Sequence, residues 1–186
     1  AFVLCVSAVA PVFGQAASRA AAEARQLYDE RTHDPVWKLP WTGQCMCGEI
    51  RFQITAPPML TMACHCTGCQ KMTASAFSYS VTIPEAGFEI VAGTPVAGGL
   101  HREIPMLHCP SCLNWMFTPV AAFGFVNVRA TMLDDNRWVV PFVETWTSEK
   151  IPWIELPVAH SHPTMPGAED FPQYVADFAE RGARPA

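Results

Sequence analysis

An all-β fold of small antiparallel sheets, preceded by an N-terminal helical extension, is what this sequence predicts, and three observations carry the expectation. Seventeen prolines and eleven glycines among 186 residues punctuate the chain at short intervals. Between them lie short runs in which apolar and polar residues alternate with the period of a half-buried strand. From Trp41 onward no strand–helix alternation of the kind that builds a parallel sheet is present.

The elements follow in order. "AFVLCVSAVAPVFGQA" is an apolar run of signal-peptide core length, with small residues at Ala8 and Ala10, and is too short to span a bilayer. It is either an export remnant or an ordinary upstream extension. "QAASRAAAEARQLYDER", residues 15–31, is Ala-rich with interleaved charges and reads as a helix ended before His33-Asp34-Pro35. Residues 1–38 are therefore assigned to an extension and 39–160 to the β domain. Its strands are "EIRFQIT", ended by Pro57-Pro58, then "SAFSYSVTI", stopped by Pro84, and "FEIVAG", closed by Gly93. "LHREIPML" runs extended into a Cys109 turn, and "WMFTPV", "FGFVNVRATML" and "WVVPFVETW" continue the series. The tail, 161–186, holds one short helix in "EDFPQYVADFAERGA", with Asp170 as its cap.

Half of the residues are hydrophobic, so a core can form without covalent staples. The formal charge is −5 and no Lys/Arg cluster stands out, which argues against a nucleic-acid groove. Of eight cysteines, seven fall into Cys45-x-Cys47, Cys64-x-Cys66-x-x-Cys69 and Cys109-x-x-Cys112, while Cys5 stands alone. A C-x-C disulfide is strained, whereas such spacings turn neighbouring thiolates toward one ion. Seven reduced thiolates suit a reducing cytosol, so a cytoplasmic location is expected, with export as the alternative that the apolar start raises. Neither a membrane nor a nucleic-acid partner is expected, and the oligomeric state is not readable.

Two metal sites follow from the spacing. Cys45, Cys47, Cys109 and Cys112 form two knuckles that together complete a closed tetrahedral zinc site; a disulfide or a set of buried thiols is the rival reading. Cys64, Cys66 and Cys69 supply three ligands, the pattern of a catalytic zinc whose fourth partner is water or a substrate atom. His65 is the rival fourth ligand. Lying between two cysteines that must converge, it points away from the ion on an extended turn and reads as a pocket residue. Two Zn2+ per chain are expected. A three-thiolate zinc is a modest Lewis acid and favours a further soft ligand, a thiol.

With these cysteines in place, "GQCMCGEIRF", "CHCTGCQKMTASAFS", "CPSC" and "ETWTSEKIPW" make the chain resemble the glutathione-dependent formaldehyde-activating enzyme family, also called the centromere protein V/Gfa domain family, from residue 43 to about 153. The resemblance implies an all-β, Mss4-like fold with two zinc ions. The structural one would sit on Cys45, Cys47, Cys109 and Cys112, and the catalytic one on Cys64, Cys66 and Cys69. It also implies a carbon–sulfur lyase activity, the condensation of glutathione with formaldehyde to S-hydroxymethylglutathione, and so a small-molecule thiol and a small aldehyde as partners. The alternative is a non-catalytic zinc-binding interaction module of the same fold, which has less need of a third knuckle. Two positions depart from the family pattern. Leu113-Asn114 follows the second structural pair where Gly and a small hydroxyl residue are usual, with Asn114 a candidate for the left-handed turn. Ala74 also stands where the family often has Gly.

Lys71 is a candidate for a glutathione carboxylate, Ser75 and Ser78 for a substrate oxygen, and His65 for the pocket. Each has a bland rival as a solvated or packed side chain. His108 reads as packed, His101 with Arg102 as an exposed strand face, Trp146 and Trp153 as core or pocket walls, and His160 and His162 as loop.

Overall fold

The structure is a computed structural model that describes residues 37–99 and 104–185. The apolar start, the Ala-rich stretch expected as a helix, Cys5, and His101 with Arg102 lie outside the described residues. Eleven strands and two α-helices are described: β1 Trp41–Gln44, β2 Arg51–Ile54, β3 Leu60–Cys64, α1 Thr67–Thr73, β4 Ser78–Pro84, β5 Phe88–Ala92, β6 Val96–Gly98, β7 Met106–His108, β8 Trp115–Val120, β9 Phe125–Arg129, β10 Val143–Thr145, β11 His160–Ser161 and α2 Phe171–Arg181. No described helix is long and apolar enough to cross a membrane.

The strands form two sheets. One has the order β1-β2-β5 and is antiparallel throughout; the other has eight strands, β11-β10-β3-β4-β9-β8-β7-β6. The expectation of small antiparallel sheets is corrected here, because β10 pairs in parallel with both β3 and β11. Long connections, not hairpins, bring β10 and β11 to that edge, and only such connections can join parallel neighbours.

Two strand boundaries also move. "WVVPFVETW" is a strand only at Val143–Thr145, because Pro141 lacks the N–H a ladder needs and Val139 N–H turns back to the Asn136 carbonyl. "FGFVNVRATML" ends as a strand at Arg129 and continues as a 3-10 turn, Ala130–Met132. β1 and β3 are strands as well, outside the series the sequence predicts; β3 ends on Cys64, the first cysteine of the trio, and is buried at four of its five positions.

Alternation along β3, β4 and β9 sorts side chains to two faces. Thr61, Val81 and Val128 lie in one register row and are all fully buried. Val81, Ile83, Val126 and Val128 belong to one core with Phe52 and Ile54 of the three-stranded sheet, where Phe117 meets Phe52 and Phe88 at 6.3 and 4.8 Å between ring centres. The opposite face carries Leu60, Met62 and Cys64 beside Ser78, Ser80 and Thr82, then Asn127 and Arg129. Helix α2 joins the same core through Tyr174, Val175 and Phe178, the last lying against Trp37 and Phe142. Asp170 occupies its N-cap position, but its carboxylate accepts from the Gly167 N–H, not from the first turn of α2.

Candidate metal centre and cavity

The turn after β1 and the turn after β7 bring four cysteines together. The Cys45 N–H donates to the Ile50 carbonyl and the Gly48 N–H to the Cys45 carbonyl; across the gap the Leu113 N–H closes the second turn onto the Cys109 carbonyl. The four sulfurs lie within 4.8 Å of one another, Cys45 to Cys47 at 3.5 Å and Cys47 to Cys109 at 3.6 Å. All are free thiols. A zinc–sulfur bond of about 2.3 Å makes a tetrahedron with sulfur–sulfur edges of roughly 3.8 Å, so this donor set fits such an ion. Leu113 itself takes the left-handed conformation, with φ 60°. Asn114 does not supply that turn: its side-chain oxygen accepts from the Met46 N–H at 2.8 Å and from the Cys112 thiol, tying the two knuckles together.

The second cluster is built around a strand end. Cys64 closes β3, Cys66 caps α1, and Cys69 sits in its first turn, where its N–H donates to the Cys66 sulfur at 3.4 Å. The three sulfurs lie within 4.8 Å of one another. His65 is fully buried and turns to Glu144, with Nε2 3.0 Å from a carboxylate oxygen, and it is not among the grouped donors. Glu144 also receives Lys150 Nζ at 2.9 and 3.2 Å and the Ser161 hydroxyl at 2.9 Å. Burial alone would raise the Glu144 pKa; the hydrogen bonds from Lys150, Ser161 and His65 outweigh it and hold the carboxyl below the ordinary glutamate range. The turn is tied from outside. Gln70 Nε2 donates to the His65 and Glu149 carbonyls at 2.6 and 2.9 Å, and the Thr67 N–H and hydroxyl both donate to the Glu149 carboxylate.

Within the trio, the Cys64 thiol is drawn down to about 5, first by the Cys69 side chain donating to it and also by the Cys66 N–H and the Thr145 hydroxyl. The Cys69 thiol is pushed up, first by its hydrogen bond to Cys64 and then by burial.

Cys64 and Cys69 open onto a cavity of about 470 Å³ on the second face of the large sheet. Its floor is the small-residue ladder Ser78, Ser80 and Thr82, whose short side chains leave the space, and Met165, Phe171 and Val175 form its roof. Arg129 lines it too. This side chain is almost wholly buried, stacks on Trp115 with 4.1 Å from guanidinium carbon to ring centre, and has an Nε without a partner. Burial lowers its pKa to about 10, against the opposing pull of Cys69 and Cys64, and it remains a cation at neutral pH.

Lys71 and Ser75 are exposed and do not line the cavity. Ser78, a candidate for a substrate oxygen, is buried and does line it. Trp153, expected as a wall, is 74% exposed; the chain turns outward after Lys150. His160 and His162 are tied rather than loose: one pairs with Asp177 at 3.0 Å and the other with the Tyr174 hydroxyl at 2.8 Å. His108 is half-buried against Trp115. Arg129, Ser80 and Glu144 went unnoticed in the sequence. The signal for the first two was the strict alternation of "SYSVTI" and "VNVR", which puts Ser80 and Arg129 in one register row.

Residues 40–149 match the family model described as "Glutathione-dependent formaldehyde-activating enzyme". Among solved structures, a crystal structure of a Rhodobacter sphaeroides protein is similar at 15% identity, covering 50% of this chain and 87% of that one with a TM-score of 0.42. No curated protein matches the chain significantly.

Proposed function

Because the chain belongs to the glutathione-dependent formaldehyde-activating enzyme family, we propose that it is a zinc-dependent carbon–sulfur lyase-like enzyme that forms or cleaves the adduct of a thiol with a small aldehyde, as in S-hydroxymethylglutathione synthesis. One observation carries this reading: two cysteines of the trio line a cavity, while the four-cysteine cluster contributes nothing to its walls. Cys64, Cys66 and Cys69 would hold the reactive zinc, which when bound supplies a cation that favours the thiolate form of an incoming thiol. Cys45, Cys47, Cys109 and Cys112 would hold a structural ion.

The chain's own residues do the rest. The cavity walls hold thiol and aldehyde together away from bulk water, and positioning matters because both reactants are small and mobile. The hydroxyls of Ser78 and Ser80, on the same face as Cys64, line the cavity and can donate to the aldehyde oxygen. In the forward direction the thiol S–H loses its proton, sulfur bonds to the carbonyl carbon, and the carbonyl oxygen takes up a proton to become a hydroxyl; no oxidant or reductant is needed. Lys71, Ser75 and His65 do not enter this reading as substrate residues; His65 serves it as a brace for the trio.

The test is NMR with carbon-13 formaldehyde and glutathione on zinc-loaded protein, beside Cys66→Ser. Adduct appearing faster than in the protein-free mixture, and only with the unaltered chain, is expected. A rate equal to the uncatalysed one removes the formaldehyde–glutathione assignment.

A further inference from the structure

A buried cation in an apolar cavity is costly unless something pairs with it. Arg129 is 7% exposed and lies on the cavity side of β9. Its one close charge-related contact is the face of Trp115. Among the described residues no carboxylate forms an ion pair with it, no hydrogen bond satisfies it, and Nε is orphaned. The cysteine sulfurs act on it only through space, since none is hydrogen-bonded to it. Around it the walls are predominantly apolar: Met59, Met62, Met106, Phe125 and Val175.

This arrangement differs from an ordinary structural arginine, which spends its five donors on backbone carbonyls or carboxylates. Here Trp115 holds the guanidinium plane in place and the donors stay uncommitted. A ligand that satisfied them would carry a planar anionic group at one end and an apolar body to fill the remaining volume. A cavity of about 470 Å³ is in the size range that encloses a small organic ligand.

We propose that Arg129 anchors a carboxylate, and that the cavity selects ligands with one carboxylate and an apolar chain. Resting on the thiol–aldehyde reading above, this makes the natural thiol an apolar-bodied carboxylate with its sulfur at the Cys64–Cys69 end.

The probes are octanoate and 1-octanol, which share a chain and lack sulfur, so the measurement is independent of any reaction at the trio. Binding is followed by ligand-observed NMR titration of the zinc-loaded chain. One charge-assisted contact predicts octanoate binding about tenfold or more tighter than octanol. Arg129→Gln is expected to erase that difference with octanol binding little changed, and Arg129→Lys to keep part of it, retaining charge without the planar fork. Equal affinities in the unaltered chain overturn the proposal. So does an octanoate preference that survives Arg129→Gln, which would place the carboxylate at the metal instead. If Arg129→Gln melts early, the Lys variant and the unaltered-chain comparison decide. Adduct formation without carboxylate selectivity would sink this inference alone; selectivity with no formaldehyde adduct of 8-sulfanyloctanoate, a thiol of the proposed class, would sink the reaction reading and leave this site standing.

Discussion

Removing the Glu144 carboxylate should both destabilise the fold and loosen the trio. The side chain is 5% exposed and receives His65, Lys150 and Ser161. Glu144→Ala strands the Lys150 ammonium, itself only 20% exposed, and leaves the buried His65 with neither ring nitrogen satisfied. Stranding a buried charge in this way costs about 3–5 kcal/mol. In a domain of this size that lowers Tm by about 10 °C, given roughly 2–4 °C per kcal/mol. Glu144→Gln should be nearly as harmful, since its amide nitrogen must face a donor on either side. The assay is a denaturant series on Glu144→Gln, Lys150→Met and the double variant. The two changes should couple, because Met leaves no ammonium to strand, and the double variant should cost at least 1 kcal/mol less than the sum of the singles. The carboxyl lies below the ordinary glutamate value of 4.5 in the folded chain, so its stabilisation is complete above that pH and is lost as the pH falls through the lower folded value. Glu144 variants should therefore lose the part of the acid sensitivity that this group supplies. Zinc affinity at the trio, read by chelator competition, should fall roughly tenfold or more. A coupling below about 1 kcal/mol, or an unchanged acid limb, would refute the idea that this network braces the site.

Other outcomes follow from the same geometry. Elemental analysis should find about two zinc ions per chain, and chelation should release free thiols without a reductant. Cys109→Ser should lower Tm more than Cys69→Ser, because the four-cysteine cluster joins turns 62 residues apart while the trio joins neighbours; equal shifts would contradict that division. Ala74→Gly should stabilise by about 0.5–1 kcal/mol, since Ala74 sits at φ 48°, where glycine carries no steric penalty, and urea midpoints would register it. Phe178→Ala, at a fully buried ring, should cost about 3–5 kcal/mol; the roof of the cavity rides on the same helix, so octanoate binding should weaken with it.

The parts legible in advance were those written in local spacing. The seven cysteines announce their grouping because knuckle geometry is local, and β4 and β9 announce themselves by alternation. The family's glycine positions were also readable as departures, and both Ala74 and Leu113 prove to be left-handed. What stayed hidden depends on contacts distant in sequence. β3 gives no period-two signal because the sheet and α2 cover it on both sides, as central strands are covered. Arg129 looks like any charged strand end until the register sets it beside Ser80 and Met62. Lys71 and Ser75 drew attention by adjacency to the trio. The helical turn of α1 carries that stretch outward, and chain adjacency does not survive such a turn.

The parallel edge that the sequence did not suggest explains why the trio is held at all. β3 and β10 run the same way, with Ala63 opposite Glu144 and Cys64 opposite Thr145. The chain leaving β10 therefore travels beside the chain leaving β3, and Trp146 to Lys150 lie alongside His65 to Gln70. That is how Glu149 reaches Thr67, how Gln70 reaches the Glu149 carbonyl, and how Lys150 meets Glu144 under His65. An antiparallel partner would carry those residues away from the turn and leave the three sulfurs on an unsupported loop. Metal ligands need support of this kind to keep their geometry. The same edge sets Thr145 beside Cys64, where its hydroxyl helps draw the thiol down. The segment "ETWTSEK" thus braces the cysteine turn without contributing a sulfur to it.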